Sequence, residues 1–140
     1  MEFLNDAHQD FFEKMVARTR TQDDPYRKAL FYALGLTRET RANIDDVYDF
    51  AEHCPRFSAI RKGWQTSTSA KVTRLAFNLY NGYNGNRSDA QKWYSPYELF
   101  GDGLMEYMFE AVRLLYPHYS AAETESSRRF ERELLKETES

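Results

Sequence analysis

Residues 24–36 decide the fold, and they read DPYRKALFYALGL. Asp24 suits the N-cap of a helix, because its carboxylate accepts hydrogen bonds from the free backbone N–H groups of the first turn. Pro25 suits the first helical position, and Gly35 suits the end of the helix. Apolar residues recur between them at helical spacing: Tyr26, Ala29, Leu30, Ala33 and Leu34. The segment therefore predicts a helix with a broad apolar face.

Helical spacing extends to both sides of this segment. Asn5 or Asp6 can cap a first helix, which the polar residues 19–23 interrupt. A third helix is predicted to begin at Thr37 and to stop at residues 54–55, because the residue before a proline avoids helical geometry. Its inner face holds Ile44, Val47, Tyr48 and Ala51. The opposite face then carries the acidic side chains Asp45, Asp49 and Glu52.

The stretch RKGWQTSTSAKVTRLAFNLYNGYNG, residues 61–85, begins like a phosphate-binding loop. Such a loop needs two glycines separated by four residues and followed by lysine and a hydroxyl residue, but Gly63 stands alone here. The hydroxyl run at residues 66–69 instead predicts an N-cap for a fourth helix. The side chains of that helix predicted to face the core are Val72, Leu75, Ala76 and Leu79. Its N-terminus, next to Arg61 and Lys62, could still attract an anion.

Two more helices follow. Ser95 and Glu98 form the pattern of a capping box around Pro96 and open a short helix that ends at Gly101. A sixth helix turns inward Leu104, Tyr107, Met108, Ala111 and Leu115. We therefore expect an all-α fold, a compact bundle of about five to six helices in a single domain over residues 1–119. Residues 120–140 are predicted to form a charged C-terminal helix or a flexible tail.

Composition fits a soluble protein with a packed core. Of the 140 residues, 41% are hydrophobic, and Cys54 is the only cysteine, which excludes an intramolecular disulfide. The chain shows no signal-peptide pattern and no apolar run long enough to span a membrane. We expect a cytoplasmic protein that does not bind membranes.

Charge is unevenly distributed, although the net charge is only −3. The stretch 56–92 contains one acid, Asp89, and seven bases: Arg56, Arg61, Lys62, Lys71, Arg74, Arg87 and Lys92. Residues 43–53 and 98–110 carry acids and no lysine or arginine. These segments can steer a charged partner, or they can pair with each other inside the fold.

The strongest candidate for chemistry is the acidic helix with its histidine. Asp45, Asp49 and His53 are spaced by helical turns and could hold a divalent metal, although a solvated acidic face is the favoured explanation. The three histidines are scattered along the chain and are expected at the surface. Cys54 is expected to be a structural thiol. We predict no catalytic residue, no metal site and no cofactor, and keep a metal-dependent enzyme as the second alternative.

Nucleic-acid binding is the first alternative function. Six basic side chains of the central segment could contact phosphates, while nearby aromatic rings stack on the nucleobases. The candidate bases are Arg61, Lys62, Lys71, Arg74, Arg87 and Lys92, and the aromatic residues are Trp64, Trp93 and Tyr94. The same rings would also suit a protein interface, where Trp and Tyr concentrate.

Four strings carry a family resemblance: DPYRKALFYALGL, DVYDF, GWQTSTSAKVTRLAFNLYNGY, and SPYELF followed by FEAVRLLYP. They resemble the domain of unknown function 6075, seen in bacteria, phages and mobile elements, over about residues 3–119. The resemblance implies no activity. It implies a setting in which small proteins often bind a host or defence protein.

From these observations we predict a small non-enzymatic protein that binds a macromolecule. Its expected partner is a host protein, and the chain is expected to inhibit a defence or nucleic-acid-handling enzyme. An inhibitor of such an enzyme would place acids where phosphates normally bind. The predicted partner-binding acids are Asp45, Asp46, Asp49 and Glu52. The sequence leaves the oligomeric state open.

Overall fold

The computed structural model describes residues 1–85, 91–119 and 132–137, and most of these residues are helical. The elements in chain order are α1 (Asp6–Thr19), α2 (Pro25–Leu34), α3 (Arg38–Ala42), α4 (Ile44–Val47), β1 (Tyr48–Asp49), β2 (Cys54–Pro55), α5 (Ser67–Asn81), α6 (Pro96–Leu99) and α7 (Met105–Leu115). Short 3₁₀ segments cover Phe57–Arg61, Gln91–Tyr94 and Pro117–Tyr119. The predicted all-α class is confirmed. Most of the predicted C-terminal tail lies outside the described residues, and within it residues 132–137 are helical and exposed.

Helix α2 occupies the centre of the fold. Six consecutive side chains are fully buried, from Ala29 through Leu34. The sequence predicted one apolar face, but Phe31 and Tyr32 lie off that face and are buried as well. The helix is covered because α1, α5 and α7 all pack against it. Each large apolar side chain buried in this way contributes about 1.5–3 kcal/mol.

The predicted helix starts at Asp24 and at the hydroxyl run are confirmed. Asp24 Oδ1 accepts from the backbone N–H groups of Tyr26 and Arg27 at 3.0 and 3.2 Å. Thr66 Oγ1 accepts from the N–H of Ser69 at 3.0 Å, and Ser69 Oγ accepts from the N–H of Thr66 at 2.8 Å. This reciprocal pair satisfies backbone donors that the first turn leaves without helical partners. The hydroxyl run therefore begins a helix.

The prediction of one helix from Thr37 to residue 54 is wrong. The chain forms α3 and α4 and then turns back, so that Tyr48 pairs with Pro55 in a two-stranded antiparallel ladder. Tyr48 is fully buried with its ring 5.0 Å from that of Phe31. Asp49 Oδ1 accepts from the N–H groups of Ala51 and Glu52. These local bonds offer the backbone an alternative to helix, and the burial of Tyr48 favours the turn.

His8 is fully buried, so the expectation of three surface histidines is wrong. Its Nδ1 accepts from the N–H of Leu4 at 3.0 Å, and its Nε2–H therefore donates to the carbonyl of Tyr32 at 2.8 Å. Burial lowers the pKa of His8 below the ordinary value of 6.5. Of the other two, His118 is exposed as expected and His53 is half-buried. The neutral form of His8 thus connects the N-terminal segment to α2 through these two hydrogen bonds.

Stability should decrease when the pH falls below about 6.5, because the unfolded chain then binds a proton that the folded His8 excludes. The loss should approach about 1.4 kcal/mol per pH unit until the folded pKa is reached. Urea unfolding at several pH values measures the loss, and ¹⁵N shifts of the His8 ring assign it. A His8 ring that gains its proton at the same pH in folded and urea-unfolded protein would contradict the account.

Gly35 allows His8 to approach α2. A Cβ atom at this position would lie 2.7 Å from His8 Cδ2 and 3.0 Å from Phe11 Cδ1. We expect Gly35→Ala to lower the free energy of unfolding by about 1–3 kcal/mol, as overpacking does in other cores. Gly63→Ala is the matched control, since a Cβ there meets no atom within 4 Å. Equal urea midpoints for the two variants would show that the contact is unimportant.

Candidate protein-binding surface

Helix α7 carries two apolar stripes. Met108, Ala111 and Leu115 form the inner stripe and are buried, as the sequence predicted. A second series begins on α7 with Met105, Phe109 and Val112 and continues past the end of the helix with Tyr116 and Tyr119. We call these five residues the outer stripe. Within α7, the spacings of four and three residues between Met105, Phe109 and Val112 are those of a seam between packed helices. Sequence reasoning missed this stripe, although its spacing was visible.

The outer stripe is largely exposed. Met105 is 45% exposed, Phe109 42%, Tyr116 42% and Tyr119 83%, while Val112 is half-buried. A groove of about 390 Å³ runs between Phe109, Val112, Arg113 and the two tyrosines. The rings of Tyr116 and Tyr119 stack at 5.4 Å and line one end of the groove. Isolated exposed apolar residues are common, whereas large contiguous apolar patches are a feature of interaction surfaces.

The geometry of α7 explains why its described neighbours α2 and α5 do not cover this stripe. The helix packs against α2 and α5 with its inner stripe. At about 100° per residue, the outer stripe is centred about a quarter turn away from the inner one. The apolar arc of α7 is therefore wider than the core requires. The additional apolar side chains, those of the outer stripe, face away from the buried interface.

Two opposite charges flank the outer stripe on the side away from the core. Glu106 and Arg113 stand two helical turns apart and occupy equivalent positions beside the apolar row. Arg113 Nη1 lies 3.2 Å from Glu110 Oε2, but the arginine side chain remains 59% exposed. An exposed pair of this kind contributes little, so the guanidinium is available to another acid. The stripe thus has an acidic end and a basic end.

The four predicted partner-binding acids have different surroundings. Asp45 and Glu52 are exposed. Asp46 accepts from Trp64 Nε1 at 2.8 Å. Asp49 caps its turn and pairs with Arg56 at 3.2 Å, and the N–H of Glu52 is the main cause that lowers the pKa of Asp49. Two of the acids are therefore engaged inside the fold, and the predicted single helical face does not exist.

The central basic segment is partly paired with its acidic flanks. Lys71 Nζ lies 2.9 Å from Asp102 Oδ1, and this contact lowers the pKa of Asp102. Together, the Lys71–Asp102 and Arg56–Asp49 pairs connect the basic segment 56–92 to the acidic segments 98–110 and 43–53. Of the other candidate bases, Arg61 and Lys62 are exposed, and Arg87 lies outside the described residues.

The predicted aromatic residues are also distributed over different environments. Trp64 is half-buried against the core. Trp93 is exposed, with the guanidinium of Arg74 5.4 Å and the ammonium of Lys92 5.2 Å from its ring centre. Burial raises the pKa of Tyr94 to about 12. Trp93 and its two cations form a cluster that combines an exposed ring with positive charge.

A polar network surrounds Arg27, which sequence reasoning did not single out. Its guanidinium donates to Asp24 at 2.8 Å, to the hydroxyl of Tyr48 at 3.0 Å and to the carbonyl of His53 at 2.7 Å. Tyr48 Oη lies 2.7 Å from His53 Nδ1. The network borders an open depression of about 490 Å³. Because the guanidinium already serves several protein acceptors, we interpret it as the link between α2 and the β1–β2 turn.

The proposed metal ligands do not share one helix. Asp45 lies in α4, Asp49 in β1 and His53 in the following turn, so the helical spacing on which a metal site was based is wrong. Within residues 1–85, 91–119 and 132–137, no three His, Cys, Asp or Glu side chains are arranged to hold a metal ion. In the same described ranges, no helix is long and apolar enough to cross a membrane.

The neighbouring acids Asp45 and Asp46 should differ in their effect on stability. Asp46→Ala removes the acceptor of the Trp64 indole N–H, and we expect a loss of about 1–2 kcal/mol in the free energy of unfolding. Asp45→Ala should change it by less than about 0.5 kcal/mol, as exposed substitutions usually do. Urea unfolding of the two variants tests the difference. Similar losses would mean that the Trp64 bond is unimportant.

Comparison with known proteins gives one match. A family model described as "Family of unknown function (DUF6075)" matches residues 1–128. The match confirms the suspected family and extends beyond residue 119, where the resemblance was expected to end. No curated protein and no solved structure matches the chain.

Proposed function

The chain belongs to the family of unknown function DUF6075, and we propose that it is a non-enzymatic protein that binds another protein chain through the outer stripe of α7. One observation carries the proposal: four apolar side chains, each at least 42% exposed, follow one another along α7 and the 3₁₀ segment after it. Keeping such a row in water is unfavourable by about 25 cal/mol per Å² of apolar surface that a partner could cover. A bound chain would recover this free energy.

The shape of the surface favours a helical partner. A row with 3–4 spacing offers holes into which the side chains of a facing helix insert. The groove beside Phe109 and Val112 runs along the row and suits such an apolar side chain. Glu106 and Arg113 favour a partner helix whose charges stand in the complementary order. We therefore propose an amphipathic helix as the ligand.

The narrower prediction, an accessory protein of a mobile element that inhibits a host enzyme, is a separate proposal. It depends on the acidic surface rather than on the outer stripe. Asp45 and Glu52 are the exposed acids that support it. Asp46 and Asp49 are engaged with Trp64 and Arg56, so we expect them to contribute less to an interface.

Nucleic-acid binding has one supporting observation and is kept as the second candidate. Arg74 and Lys92 flank the exposed ring of Trp93. Proteins that bind single strands combine stacking rings with cations in this way. The net charge of the whole chain, −3, argues against nucleic-acid binding, because such binding depends on attraction to phosphates.

Affinity capture from the native host tests the proposed function. Phe109→Glu should reduce recovery of the bound protein at least about tenfold, because the interface would bury a carboxylate without a partner. Tyr97→Glu is the matched control, since Tyr97 is an aromatic residue on α6 that is 87% exposed. A parallel sample is treated with nuclease.

Recovery that survives nuclease, persists in Tyr97→Glu and disappears in Phe109→Glu supports binding by the outer stripe. Recovery unchanged by Phe109→Glu would contradict it. Loss of all bound material after nuclease treatment would favour the nucleic-acid alternative.

A further inference from the structure

We infer that the outer stripe binds the outer stripe of a second copy of this chain, with the two α7 helices antiparallel about a two-fold axis. The inference rests on the proposed function, because it names the partner of the same surface. The resulting homodimer is symmetric, and the same patch of both subunits forms the interface.

The sizes of the side chains support this pairing. In an antiparallel pair, Met105 lies opposite Tyr116 of the second copy, and Phe109 lies opposite Val112 of the second copy. The two-fold axis then passes between Phe109 and Val112. Each layer combines one aromatic ring with one smaller side chain, so the row is complementary to itself when it is reversed. A parallel pair would place aromatic rings opposite identical rings and leave space between the smaller residues.

The charges support the same orientation. Glu106 and Arg113 occupy equivalent positions beside the seam, and antiparallel helices bring such positions of the two chains together. Glu106 of each copy therefore faces Arg113 of the other, which gives two symmetric ion pairs. A parallel pair would gather both glutamates at one end and both arginines at the other. Charge complementarity thus selects the antiparallel dimer.

The surface is small, which sets the expected strength. A stable interface of standard size buries about 800 Å² on each partner, and a single row on one short helix provides less. We therefore expect a reversible dimer whose population depends on protein concentration. The Arg113–Glu110 contact within one chain does not prevent dimerisation. Arg113 is exposed and can exchange Glu110 for Glu106 of the second copy.

Charge exchange tests the pairing directly. Sedimentation velocity of the full chain from about 1 to 300 µM covers the range in which small interfaces dissociate. Glu106→Arg and Arg113→Glu each create two like-charge pairs and should weaken dimerisation at least about tenfold at low salt. The double variant restores opposite charges and should return to within about threefold of the original constant. Arg61→Glu is the control, since Arg61 is an exposed base outside α7.

The outcomes separate this inference from the proposed function. A chain that stays monomeric at about 300 µM overturns the second copy as partner. Capture of another protein that Phe109→Glu abolishes would still support the outer stripe in that case. Single variants that dimerise normally, or a double variant that does not recover, overturn the antiparallel pairing. Circular dichroism checks each variant, and a variant that loses helix is replaced by Glu106→Gln or Arg113→Gln, whose dimers should also weaken.

Discussion

The side chains from Ala29 to Leu34 have no exposed surface, so this part of α2 must be covered by other elements on every side. This requirement determines the arrangement of the bundle, because α1, α5 and α7 each cover part of it. His8 of α1 completes the cover by bonding to the carbonyl of Tyr32, and the missing Cβ of Gly35 leaves room for its ring. The central helix therefore fixes where α1, α5 and α7 stand.

Covering α2 requires only one side of α7. The inner stripe supplies this contact, and the outer stripe is left facing solvent with an acid and a base beside it. Val112 packs partly against the core and the Phe109 ring lies 5.1 Å from that of Phe100, but Met105, Phe109, Tyr116 and Tyr119 remain largely exposed, where a surface helix usually carries polar residues. We therefore interpret α7 as a helix shared between the core and a partner chain. The polar contacts elsewhere, such as those of Arg27 and Asp46, hold the fold together and are less suited to ligands.

The sequence predicted the features that depend on local chemistry. Asp24 and Thr66 cap helices because their side chains reach backbone donors within three residues, so the pattern alone was sufficient. The helix predicted through residue 54 was wrong because Tyr48 is held by distant residues, Phe31 and Arg27. The burial of His8 depends in the same way on Tyr32, 24 positions along the chain. The outer stripe was overlooked because one apolar repeat on α7 already explained the core.

Our central claim is that α7 has one face for the core and one for a second copy of this chain. Hydrogen–deuterium exchange of the full chain, compared at low and high protein concentration, tests this claim most directly. The account predicts that amides of residues 105–119 exchange more slowly at high concentration, because association opposes local opening of α7. Amides of α2 should exchange equally slowly at both concentrations. Identical exchange of residues 105–119 at both concentrations would contradict pairing of the outer stripe with a second copy.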